Sequence, residues 1–141
     1  MKDLKCENAT KVSEEDIELV QKKVNYVFPK EFVEFIKENS GGYPTCDCIN
    51  IDGDIECVNN FLDFQEDGYN YVVSIYLSNK GLQVHGCIPF ARDAGSNYYC
   101  FSRKDNRILF WDHEECDEFD GPFIVCKNFK TFVNKLFCEE L

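Results

Sequence analysis

A chain of 141 residues with 44% hydrophobic content, 13 of them Phe and 7 Tyr, has the length of one domain and the apolar surface for one core. Its formal charge of −11, from 15 basic and 26 acidic residues, argues against nucleic acid or anionic lipid, which demand a basic face, and neither is expected as a direct partner. No apolar run approaches the ~18 residues of a membrane span, and the opening "MKDLKCENATKVSEED" lacks the apolar stretch of a secretion leader; a cytoplasmic protein is expected.

The first element is a helix near 13–26. Ser13 stands as its N-cap with Asp16 as capping-box partner, and Ile17, Val20, Val24 and Val27 follow at helical spacing. "FPKEFVEFIKENSGG" predicts a second helix, with Pro29 in its first turn, Phe32, Phe35 and Ile36 on its apolar face, and Gly41-Gly42 as its stop. "CDCINI" and "IECVNNFLDF", joined by Asp52-Gly53, read as a hairpin. "YNYVVSIYLSNKG" predicts a middle helix closed by Asn79 or Gly81. Strands are expected at 87–91, 97–102, 107–112 and 123–126, and "KNFKTFVNKLFCEEL" closes the chain as a helix with Phe129, Phe132, Val133 and Leu136 inward. This order predicts an α+β fold, an antiparallel sheet with helices packed on it, in one domain over 1–141.

The charge is unevenly distributed. From Glu38 to Asn79 there is no Lys or Arg but eight acids, and from Ile108 to Cys126 none but six, so fourteen of the 26 acids lie in two stretches without a cation. Asp112–Asp120, "DHEECDEFD", holds six acids in nine residues. Such stretches either solubilise a surface or face a cationic partner. The nine cysteines form no C-x-x-C pair and are expected as reduced thiols acting as small apolar side chains. Cys46, Cys48, Cys57, His85 and Cys87 have the residue types of a zinc site but not the paired knuckles of one, and no metal or cofactor is expected.

"IPFARDAGSNYYCFSRKDNRILFWDHE" gathers Asp93, Asp112, His113 and Glu114 around a turn, which are acid–base residue types. The carboxylates fall at strand ends, however, and no Ser or Cys stands in a nucleophile-elbow sequence. A scaffold role is expected instead, Asp93 accepting backbone N–H groups of the turn while Gly95 and Asn97 supply a permissive backbone.

"FPKEFVEFIKENSGG", "IPFARDAGSNYYCF", "ILFWDHE" and "NFKTFVNKL", in this order, resemble the SUKH superfamily, over roughly residues 12–137. The turn "DAGSN" has fewer glycines than many members, and the Cys-rich 46–57 segment is not a family feature. The resemblance implies a SUKH-type α+β domain whose structural motif residues are Pro89, Asp93, Gly95, Asn97 and Asp112. It also implies an immunity protein, a monomer or weak dimer that neutralises a cognate toxin, often a nuclease, by stoichiometric binding. The alternatives are a regulatory interaction module of the same fold and, less favoured, a hydrolase. A nuclease carries a cationic cleft for phosphates, which an acidic surface would occlude. The toxin-facing candidates are Glu114, Glu115, Asp117, Glu118 and Asp120, beside Trp111. The runner-up surface is the hairpin with Asp52, Asp54 and Glu56, and Tyr43, Tyr69 and Tyr71 are further anchor candidates.

Overall fold

Ser13 opens the first helix with the reciprocal bonds its spacing predicts. Its Oγ accepts from the Asp16 N–H and the Asp16 carboxylate accepts from the Ser13 N–H, both at 3.1 Å. The computed structural model describes residues 1–139. A short strand β1 (Cys6–Glu7) precedes helix α1 (Glu14–Val24), which buries Ile17, Val20 and Val24 and ends at Asn25 in the left-handed conformation. Helix α2 (Lys30–Asn39) starts after Pro29 and buries Phe32, Phe35 and Ile36. Strand β2 (Tyr43–Pro44) then returns to pair with β1.

The hairpin is β3 (Cys48–Ile51) and β4 (Asp54–Cys57). Asp52 and Gly53 both hold positive φ, 51° and 93°, as a primed two-residue turn requires, and Asn50 Oδ1 accepts the Gly53 N–H at 2.8 Å. Strand β5 (Asn60–Phe61) leads to two short helices, α3 (Val72–Leu77) and α4 (Lys80–Val84). Strands β6 (Cys87–Arg92), β7 (Tyr98–Ser102), β8 (Ile108–Trp111) and β9 (Phe123–Cys126) follow, and then helix α5 (Phe129–Lys135). The main sheet is antiparallel in the order β5-β6-β7-β8-β9. Pro89 lies inside a central strand, where its missing N–H would break the ladder. The register shift between Pro89 and Ala91 is the bulge that accommodates it.

The two sheet faces have different cores. On one, Phe90, Tyr99, Phe101 and Phe110 meet Phe32 of α2 and Phe129 and Phe132 of α5, with ring centroids 4.6–5.8 Å apart for Phe90–Phe101, Phe32–Phe101, Phe90–Phe132 and Phe90–Phe129. On the other, Trp111 packs against Gly81 of α4, and Cys87 and Cys100 are buried thiols. Burial, and a hydrogen bond with Cys87, push the Cys100 thiol well above its ordinary value, so it stays protonated.

Three expectations are corrected. The middle helix is two helices, because the Asn79 side chain accepts from the Leu82 N–H at 3.1 Å and thereby starts α4 instead of ending α3. The last helix stops at Lys135. Leu136 is extended, and Phe137 exchanges backbone bonds with Cys48 at 2.9 and 3.1 Å; residues 140–141 of the expected helix lie outside the described residues. That bridge sets Cys138 beside Cys46, and the two form a disulfide across 92 residues of sequence, so seven cysteines and not nine are free thiols.

Candidate functional site

The motif at 93–97 is a turn held by one carboxylate. Asp93 Oδ1 accepts the N–H groups of Gly95 at 2.8 Å and Asn97 at 2.9 Å, and Oδ2 accepts from Asn97 Nδ2 at 2.9 Å. The positive φ falls on Ser96 (65°), not on Gly95 or Asn97. Asn97 Oδ1 in turn accepts the His113 N–H at 2.9 Å and lies 2.7 Å from His113 Nδ1. The "DAGSN" and "WDHE" segments are therefore one hydrogen-bonded unit where β7 begins and β8 ends. Both Asp93 oxygens and Asn97 Oδ1 are engaged with backbone, amide or imidazole, which fits the scaffold role of the turn.

The acidic run 112–120 is not the extended loop its charge density predicts. Asp112 Oδ1 accepts the Glu114 N–H at 2.9 Å, and the Asp112 carbonyl accepts from Cys116 at 2.7 Å. Asp117 Oδ1 accepts from Phe119 and Asp120 at 2.7 and 2.8 Å, and these bonds hold its carboxyl below the usual range. Two of the six acids thus build turns that fold the loop back on itself. His85 Nε2 meets the Asp117 carbonyl at 2.9 Å, and Lys80 Nζ lies 3.5 Å from Glu118. A cation distant in sequence partly neutralises a run that has none of its own.

The structure instead gathers acids from both cation-free stretches around one cleft of about 380 Å³. Asp52, Asp54 and Glu56 line it from the hairpin, Asp112 and Glu115 from the end of β8 and the loop after it, and Phe110 and Phe123 supply its apolar lining. Five carboxylates converge with no Lys or Arg among the lining residues. Glu56 registers this: burial first, then the charges of Asp93, Asp54 and Asp112, raise its carboxyl above the usual range. Phe123 is 45% exposed at the rim, and Phe119, in the loop, is 87% exposed. No spacing in the sequence announces this cleft. The pairing of Phe110 with Phe123 across β8 and β9, and the fold of the hairpin, create it.

Other candidates are dispersed. Glu114 and Asp120 are exposed but outside the cleft lining, and Asp117 and Glu118 line a neighbouring groove of about 320 Å³ beside Lys80. Trp111, open from the sequence to either the core or a partner-facing groove, is 2% exposed, because α4 covers it, and it belongs to the core. Tyr71 is likewise buried, whereas Tyr69 is 98% exposed and Tyr43 half-exposed. The soft-ligand residues do not meet: Cys46 is bonded to Cys138, His85 packs on Trp111 with ring centroids 5.8 Å apart, and no group of three or more metal-ligating side chains forms among the described residues. Nor is any described helix long and apolar enough to cross a membrane.

Among known proteins, the chain is similar to the SPbeta prophage-derived uncharacterized protein YokK of Bacillus subtilis (strain 168), with 37% identity over 54 residues. That match covers 38% of this chain and 28% of the relative's length. The model of the SMI1 / KNR4 family (SUKH-1) matches residues 11–135, from just before the Ser13 cap to the end of α5 and through both hydrogen-bonded motifs, so the chain belongs to the SMI1 / KNR4 (SUKH-1) family.

Proposed function

We propose that this chain is a non-catalytic binding protein of the cytoplasm, an immunity protein that neutralises a basic toxin domain, such as a nuclease, by seating it on the cleft between the hairpin and the β8–β9 edge. One observation carries the reading: acids from both cation-free segments, distant in sequence, line one concave surface with exposed aromatic area beside it. A free chain keeps such a cleft at an electrostatic cost, visible in the raised Glu56 carboxyl, and an incoming Lys or Arg relieves it. The same field steers association and makes it salt-dependent. Trp111, Asp93 and Asn97 hold the surface in place without touching the partner. The test is toxin neutralisation in cells, together with capture of a cognate toxin, sought among the products of neighbouring genes, at low and high salt, by the wild type and by the pair Asp54→Lys, Glu115→Lys. Both side chains are exposed and accept no structural hydrogen bond, so the variant keeps the fold. Loss of neutralisation and of salt-sensitive capture is expected. Neutralisation undiminished by the reversal, with capture indifferent to salt, would remove the cleft from the interface.

A further inference from the structure

Strand β9 ends the main sheet, and among the described residues no other strand pairs with its outer side. Beyond the β8 ladder, the backbone groups of Phe123–Cys126 make no hydrogen bond to any described turn, loop or neighbouring segment. The opposite edge is covered: the Phe61 N–H donates to Gly42 at 2.8 Å, and the Gly41 N–H to Leu62 at 3.1 Å. An open edge is a template for another strand, since every second residue turns both its N–H and its C=O outward. Proteins commonly block such edges with Lys inside the strand or with a bulge; "FIVC" has no Lys, and the register shift that leaves Val125 without a partner interrupts the alternation only beyond Phe123 and Ile124.

The side chains along this edge specify what would fit. Phe123 lies opposite Phe110 and shares its face and the acidic cleft; Ile124, 54% exposed, lies opposite Leu109 and faces the other way. A strand laid beside β9, about 4.8 Å away, alternates its own side chains between those same two faces. One set points over Glu56, Asp112 and Glu115, and the other meets Ile124. A second copy of this chain would bring its own acidic cleft against the first, a like-charge contact between molecules of formal charge −11. The complementary occupant is a cationic one.

We propose that β9 is a strand-addition site, and that the partner presents to it an extended segment with Lys or Arg at every second position and apolar residues between. The segment extends the sheet by one strand, its cations lie over the cleft carboxylates, and its apolar side chains pack on Ile124. This rests on the reading of the cleft as a binding surface and adds the conformation and pattern of what binds.

The probe is a short peptide of alternating Lys and Val, blocked at both ends, with two twins N-methylated either at every Lys or at every Val. The twins keep the charge and differ in which edge of the extended peptide retains its N–H donors. Binding is followed by calorimetry at low salt, and amide exchange is read at Phe123–Cys126. The parent peptide is expected to bind and to slow exchange of the outward amides in β9. One twin should lose about tenfold or more in affinity, as befits two or so backbone bonds, and the other should keep it. Both twins binding like the parent, with β9 exchange unchanged, would mean the peptide is held by charge alone; that overturns strand addition and leaves the cleft reading standing. No binding of the parent also overturns it. The cleft reading is judged separately, by the toxin-capture experiment with Asp54→Lys, Glu115→Lys.

Discussion

Gly81 sits in α4 without positive φ, so its backbone does not require glycine. In an open helix, Gly81→Ala would stabilise by about 1 kcal/mol through reduced backbone entropy. Here the new methyl would lie 2.6 Å from Trp111 Cζ2 and 2.7 Å from Cη2, where ordinary contact is about 3.5–4 Å. Trp111 is 2% exposed and has nowhere to retreat, so overpacking, typically about 1–3 kcal/mol, outweighs the propensity gain. We expect Gly81→Ala to cost about 1–2 kcal/mol and to lower Tm by roughly 3–7 °C for a domain of this size. In a Trp111→Phe background the two offending ring carbons are gone, and the same substitution should become neutral or stabilising by up to about 1 kcal/mol. Denaturant melts of the wild type, both single variants and the double variant give the coupling, expected at about 1–3 kcal/mol. An equal cost for Gly81→Ala in both backgrounds, within about 0.5 kcal/mol, would refute the contact as its cause.

Asp93→Ala removes the acceptor of three bonds and should cost about 1–3 kcal/mol, whereas Asp93→Asn keeps an oxygen for the two backbone donors and should cost less; equal losses in thermal melts would dissolve the turn argument. For Glu56, burial and then the neighbouring carboxylates raise the folded carboxyl above its ordinary value of about 4.5, so the folded state holds its proton more tightly than the unfolded one. The resulting stability is complete below about 4.5 and is lost as pH rises through the raised value. Glu56→Gln should therefore raise Tm at neutral pH and show no such gain below about pH 4.5, and a gain independent of pH would sink this account. Alkylation in denaturant without reductant should label seven thiols, and nine after reduction. Cys138→Ser should lower Tm relative to the wild type in oxidising buffer only, by an amount corresponding to a few kcal/mol.

Local chemistry made much of the fold legible in the sequence. Ser13 with Asp16, the Phe32–Phe35–Ile36 spacing and the Asp52-Gly53 turn each act within a few residues, and the strands of "IPFARDAGSNYYCF" and "ILFWDHE" followed from alternation and a turn. The features that were missed depend on contacts across the chain. Nothing near "SNKG" signals that Asn79 starts a helix, or that Gly81 is the gap into which Trp111 fits. The pairing of Cys46 with Cys138 depends on Phe137 returning to β3. The two acidic segments were legible as alternatives for one role, but only the fold makes them opposite sides of the same cleft.

The Cys46–Cys138 bond also decides how the molecule carries load. Tension applied to the chain before Cys46 and beyond Cys138 passes through the sulfur bridge and bypasses the intervening polypeptide, which includes the main sheet and α5. With the bond closed, pulling can peel β1 and the N-terminal helices while the enclosed segment is shielded. With the bond reduced, the short contact of Phe137 with Cys48 becomes the first point to yield, and the enclosed segment, 92 residue steps from Cys46 to Cys138, can pay out as slack of about 30 nm. Thiol state thus sets whether the chain resists threading as a ring or feeds through as a single strand.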